Sequence, residues 1–168
     1  DILVYTSTDP FANSPNTALM LDTFMLHINN ITYDGRLAHL LSTRNVGGGR
    51  AYVDVLCSNS AQVAVSTSLS TNIVPLPTFS WSVECVTHEM GHNMGSRHTH
   101  ACVWNGNNTA IDGCGPAAGY NEGCNGPLPD EGTIMSYCHL VSGVGINFNL
   151  GFGPQPGDLI RSRYNNAY

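Results

Sequence analysis

The chain has 168 residues and a mass of 18.0 kDa, a size that suits one domain, with 42% hydrophobic and only 11% charged residues. That balance excludes a disordered acidic chain, and no apolar run approaches the roughly 20 residues needed to cross a bilayer, since residues 17–31 are interrupted by Asp22, His27, Asn29 and Asn30. Six arginines, no lysine and twelve acids leave a net charge of -6, which argues against nucleic acid as a partner.

In chain order, Ile2-Leu3-Val4-Tyr5 is an apolar run ended by the turn signal Asp9-Pro10 and is expected as a buried strand. Ser14-Pro15-Asn16 opens a helix expected to reach about Asn30, with Leu19, Met20, Phe24 and Ile28 on one apolar face. Residues 37–42 are the next strand candidate. Gly47-Gly48-Gly49 lacks the GxxxxGK[ST] context of a phosphate loop and reads as a connection between strands. Alternation over 51–56 predicts a half-exposed strand, and 62–66 another. Pro75 and Pro77 close a loop before a strongly helical stretch, 81–94. After Gly95 the character changes: Gly, Asn and Pro dominate, and apolar periodicity is weak until a last short helix expected over about 158–166, with Asp158 as its N-cap. The fold class is therefore α+β, with an upper half to about residue 95 and an irregular lower half over 96–168.

The six cysteines, Cys57, Cys85, Cys102, Cys114, Cys124 and Cys138, contain no CxxC pair. Their even number, wide spacing and Gly/Asn-rich surroundings point to disulfides in an oxidising compartment, hence a secreted protein. The chain opens at Asp1 with no Met and no basic leader, as expected if a signal peptide has been removed or lies outside this stretch. Two sequons, at 30–32 and 107–109, matter only in a host that glycosylates.

The chemistry sits at His88-Glu89-Met90-Gly91-His92. On a helix, four residues is just over one turn, so both imidazoles leave one face and can share a metal ion. Glu89 is turned aside from that direction, placed to take a proton from water rather than to bind the metal. A bare HExxH can occur by chance on a structural helix. Here it continues Asn93-Met94-Gly95-Ser96-Arg97-His98. An unbroken helix would point His98 away, but Gly95 can adopt the left-handed conformation that ends a helix and sends the chain back. Three His ligands would leave a fourth position of a Zn2+ ion open for water, the mark of a catalytic site.

This stretch resembles the metzincin zinc metalloendopeptidases, whose signature is HExxHxxGxxH followed by a Met-turn; Thr133-Ile134-Met135-Ser136-Tyr137 is similar to that turn. The resemblance implies that Met135 forms a hydrophobic floor under the imidazoles without binding metal. Residues 151–158 and the helix after them, with the strands before the zinc helix, resemble secreted bacterial adamalysin (reprolysin)-like proteins. Two positions depart from adamalysins: Thr99 stands where Asp is usual, and Tyr137 where Pro is usual two residues after the Met. Tyr there resembles serralysins and astacins, in which the phenol can ligate zinc or donate to the tetrahedral intermediate; pappalysin-like enzymes combine it with cysteine-rich segments and remain the alternative subfamily.

The resemblance implies one catalytic domain over 1–168: a twisted sheet and two main helices above a cleft, and a disulfide-stapled lower part below it. It also implies a strand and helix ahead of residues 2–5, so Asp1 is expected to lie inside the domain. Zn2+ would be held by His88, His92 and His98, with Glu89 and Tyr137 catalytic. The substrate would be a protein or peptide lying extended along an edge strand around 51–56, with residues 139–152 walling an apolar side-chain pocket. His100 is the competing third ligand, and Cys85, one turn before His88, a conceivable thiolate. Glu84, Glu122 and Glu131 are not expected to ligate, and His27, His39 and His139 read as ordinary polar contacts. Six cysteines allow 15 connectivities; Cys114–Cys124 within the loop is mildly favoured, and a Cys102–Cys138 bridge would tie the region after the third His to the Met-turn. The rival from another class is a non-catalytic, zinc-containing binding module, which Glu89 argues against.

Overall fold

The computed structural model describes residues 1–58 and 60–167. Helix α1 (Thr17–Ile28) starts where Asn16, in extended conformation, accepts the Leu19 amide at 2.9 Å. It buries Thr17, Met20, Leu21, Phe24 and Ile28. Leu19, expected on that face, is 46% exposed: one residue turns the helix by about 100°, and the 17–20–24–28 stripe leaves position 19 beside it.

Strands β1 (Ala38–Leu41), β2 (Gly49–Ala51) and β3 (Val63–Ser66) form one sheet in the order β1-β3-β2. β1 runs parallel to β3, with Ala38 opposite Val63; β2 is antiparallel to it, with Gly49 opposite Ser66. The central strand is wholly buried. Val63 and Val65 join Phe11, Met20, Leu21, Phe24 and Ile28 in the apolar core under α1. Alternation sends Ser66 to the opposite face, where it hydrogen-bonds Cys85 of helix α2 (Trp81–Asn93).

Two expected strands are corrected. Residues 2–5 form no strand: Ile2 is 91% exposed, and a cavity of about 700 Å³ separates the segment from β1, so no ladder can form. Tyr5 is anchored instead by its hydroxyl, 2.7 Å from His27 Nε2. The strand expected over 51–56 lies at 49–51, because the amides of Asp54 and Val55 are spent on the end of α2, donating to His92 O and Asn93 O at 2.9 Å. Asp54 and Cys57 also take positive φ, which a strand cannot contain.

The lower half has a single helical turn, α3 (Cys114–Ala117), two 3-10 turns at Cys138–Leu140 and Phe148–Leu150, and the terminal helix α4 (Pro154–Asn165). α4 begins earlier than expected because Pro154 needs no amide partner in the first turn, so Asp158 lies inside it, paired with Arg161. The bridges are Cys102–Cys124 and Cys114–Cys138, the expected partners exchanged. Proximity in sequence misled: α3 turns Cys114 inward, fully buried, onto the equally buried Cys138 of the 3-10 turn it faces. Cys85 is a buried free thiol and Cys57 a half-buried one. Among the described residues, no helix is long and apolar enough to cross a membrane.

One titration follows from the packing. His39 on β1 shares a 2.8 Å hydrogen bond with Ser66 Oγ, its Nδ1 is buried without a partner, and burial lowers its pKa to about 4. Between about pH 6.5 and 4 the unfolded chain takes up a proton that the folded one refuses, so stability conferred by neutral His39 is full above 6.5 and falls as pH drops toward 4. His39→Gln should flatten that decline, measured as denaturant midpoints at pH 7 and pH 5; an unchanged difference would assign the acid sensitivity elsewhere.

Candidate metal centre

His88 and His92 lie on one face of α2, both more than nine-tenths buried. The helix then ends in a Schellman turn: the Gly95 amide donates to His92 O (2.9 Å), the Ser96 amide to Gly91 O (3.0 Å), and Gly95 takes φ +96°. This reversal brings His98 back over the helix end, its ring centroid 4.6 Å from that of His92 and 5.2 Å from that of His88.

The partners of the rings fix their tautomers. His88 Nδ1 donates to Ile134 O at 2.7 Å and His92 Nδ1 to Ser96 O at 2.8 Å, both acceptors that require an N–H. His98 Nδ1 lies 2.5 Å from Glu122 Oε1. Each ring therefore keeps its lone pair on Nε2. His92 Nε2 and His98 Nε2 stand 3.1 Å apart, and one nitrogen from each of the three residues falls within 4.8 Å of the others. Facing lone pairs at that distance repel unless a cation lies between them; two nitrogens sharing a tetrahedral zinc stand roughly 3.3 Å apart. Burial, followed by the neighbouring imidazoles, holds His88 well below its usual pKa and His98 at about 2. The rings are thus unprotonated at neutral pH, as metal ligands must be. The donor set fits Zn2+.

Met135 is fully buried. Its carbonyl accepts from the Thr99 amide (3.0 Å) and hydroxyl (3.3 Å), so residues 134–135 hold both the helix, through His88, and the segment after His98. A Cβ on Gly91 would stand 2.5 Å from Met135 Sδ and 2.9 Å from the Phe152 ring, so only glycine allows α2 this close. The Tyr137 ring packs 4.6 Å from that of His98 and 5.9 Å from that of His88, and burial pushes its phenol up to about 12.

Glu89 is 6% exposed, and its Oε2 has no hydrogen-bond partner. Strand β2 passes so near that a Cβ on Gly49 would lie 2.3 Å from Glu89 Oε1. Burial raises the carboxyl to about 8, with Arg50 pulling the other way. Glu84, one turn before His88, is fully buried with neither oxygen bonded; burial first, then the charge of Glu89, raises it to about 9, which keeps it the neutral acid.

Of the other candidates, His100 is buried and stacked on His98, with ring centroids 4.8 Å apart, and lies near Glu122 rather than with His88 and His92. Burial raises the Cys85 thiol to about 11, far from a thiolate. Glu131 accepts from Asn147, and His139 stacks on Phe79. Sequence reasoning set Glu122 aside because it sits in a glycine-rich loop; the fold carries it to His98 Nδ1, and only its place two residues before a cysteine hinted at anchoring. The 700 Å³ cavity involves none of these residues and lies on the α1 side of the sheet.

Residues 1–142 match the profile of Metallo-peptidase family M12 (Reprolysin_5), and the chain belongs to this family of peptidases. No curated protein matches the chain.

The close approach at Gly91 is testable without any assay of activity. Gly91→Ala must push Met135 and Phe152 aside, and should cost about 1–3 kcal/mol of stability, read from denaturant unfolding of the metal-free protein. A loss below about 0.5 kcal/mol, the usual scatter for surface changes, would mean that Met135 and Phe152 yield freely.

Proposed function

We propose that the chain is part of a secreted, zinc-dependent endopeptidase of metzincin architecture that takes protein substrates, residues 1–168 belonging to one catalytic domain whose first strand and helix precede Asp1. The observation that carries this reading is the convergence of three Nε2 lone pairs, each ring's Nδ1 being committed to an acceptor behind it. Membership of a metallopeptidase family supports the activity, and two disulfides support an extracellular setting.

His88, His92 and His98 would hold Zn2+, which when bound supplies Lewis acidity toward water and the scissile carbonyl. Glu89 takes a proton from the attacking water at its buried carboxylate and delivers it to the leaving amide nitrogen. Burial strengthens the Glu89 carboxylate as a base, which favours taking that proton. The edge strand orients the peptide: Gly48 O and the Tyr52 amide bond toward β3, so by antiparallel alternation the backbone groups of Gly49 and Ala51 face the open edge. The substrate pairs there, beside Glu89. Met135 serves as the Met-turn floor. Tyr137, whose ring lies against His98, donates its hydroxyl to the developing oxyanion.

Metal analysis together with cleavage of denatured protein mixtures tests the reading. The wild type should carry one zinc and cleave; Glu89→Ala should keep the zinc and lose cleavage. Zinc without cleavage in a folded wild type would make the chain a binding module instead. Tyr137→Phe should preserve zinc and fold while lowering kcat about ten- to a thousand-fold with little change in KM, since the lost bond belongs to the transition state. An unchanged kcat would reduce Tyr137 to packing.

A further inference from the structure

The three imidazoles are not supported alike. His88 and His92 are fixed by helix α2 and donate to backbone carbonyls, Ile134 O and Ser96 O. His98 lies beyond the helix, on the segment that follows Gly95, and its Nδ1 faces a charged acceptor, Glu122 Oε1, at 2.5 Å. The loop bearing Glu122 is itself anchored: Cys124, two residues on, is bridged to Cys102, four residues after His98, and the Gly123 amide donates to Asn121 Oδ1 at 2.7 Å. The same Glu122 oxygen lies 3.5 Å from Nε2 of His100, a ring with no exposed surface, no hydrogen-bond partner on either nitrogen, and a nearly coplanar stack against His98 (interplanar angle 8°). One carboxylate thus faces two parallel imidazoles, His98 and His100.

We propose that Glu122 is the positioning residue of the metal centre, holding His98 as its Nδ1–H tautomer with Nε2 aimed at the ion. The inference rests on the zinc reading above. A loop ligand lacks the rigidity of a helix, and a charge-assisted hydrogen bond supplies both direction and strength. A carboxylate behind a ligand imidazole excludes the tautomer that would place a proton on Nε2, and makes the ring a better donor to metal. The Cys102–Cys124 bridge keeps the carboxylate within reach.

Zinc affinity, measured by competition with a chromophoric chelator on the whole chain, tests this independently of catalysis. Glu122→Ala should bind zinc about 10–100-fold more weakly than wild type, and Glu122→Gln, which keeps an acceptor of equal size without the charge, should fall between them. The metal-free unfolding midpoints of both should stay near wild type, because the Glu122 side chain is 39% exposed. Affinity within twofold of wild type in both variants overturns the proposal. So does an affinity loss that merely follows a loss of metal-free stability in Glu122→Gln. A second zinc in the wild type, lost in both variants while the first is held at full affinity, would make Glu122 a ligand of another ion and also overturns it. A wild type that binds no zinc overturns the zinc reading itself, an outcome distinct from the others.

Discussion

Three imidazole nitrogens that point their lone pairs at one position repel one another, and each must be held from behind. The structure depends on this constraint. One support crosses from the lower half, Ile134 O receiving His88 Nδ1, and beside it Met135 O receives the amide and hydroxyl of Thr99, just after His98. These adjacent carbonyls reach helix α2 and the segment beyond it from 46 and 36 residues away. The buried Cys114–Cys138 bridge fixes the chain three residues past Met135. A half with little apolar periodicity is thereby located by covalent and hydrogen-bonded ties, where a larger core would use side-chain packing.

The two faces of the sheet divide the work. On the α1 side, Phe11, Met20, Leu21, Phe24, Ile28, Val63 and Val65 form an ordinary apolar core, the source of hydrophobic stabilisation. On the α2 side, Glu84, His88, Glu89, His92 and Asn93 are all buried. Removing such groups from water is costly unless they are paired or neutral. Asn93 is satisfied by Tyr52 O and Val63 O, and the histidines by acceptors behind them, while burial drives Glu84 toward its neutral form. A helix that buries a polar face against its own stability marks where function has overridden packing.

Much of this was legible in the sequence, and the failures have physical causes. Helix α2 was readable because its histidine spacing and the Gly95 terminator are both local, and Gly95 indeed takes positive φ. α1 and β3 lie within the spans expected for them, α1 ending two residues short of Asn30 and β3 starting one residue after Gln62. Residues 2–5 misled because an apolar run shows only that burial would be favourable, while the lateral strand partner is a tertiary fact. β2 shifted because the end of α2 took the amides of Asp54 and Val55. The disulfides were exchanged because chain separation weighs little against the orientation of a single helical turn. Glu122 was missed for a related reason: contact between a loop carboxylate and a ring 24 residues earlier leaves no spacing in the sequence.

Strand β2 couples binding to chemistry on the proposed reading. Gly49 lies against the Glu89 carboxylate, so near that no side chain fits between them. Its backbone groups are among those left facing the open edge of the sheet by the pairing with Val65 and Ser66. The residue that would set the register of an incoming peptide is thus the one that bounds the proton acceptor. A strand added to an edge has a period of two, so a slip of one residue turns every side chain to the opposite face. Register and proton transfer cannot then vary independently: a peptide paired out of step presents the wrong side chains to the cleft walls, even though its backbone still bonds to β2. Selectivity in such a site comes from side chains flanking the cleaved bond, while backbone pairing supplies sequence-independent affinity. Gly49 and Gly91 let β2 and Met135 approach the helix closely: a Cβ on Gly49 would stand 2.3 Å from Glu89 Oε1, and one on Gly91 2.5 Å from Met135 Sδ.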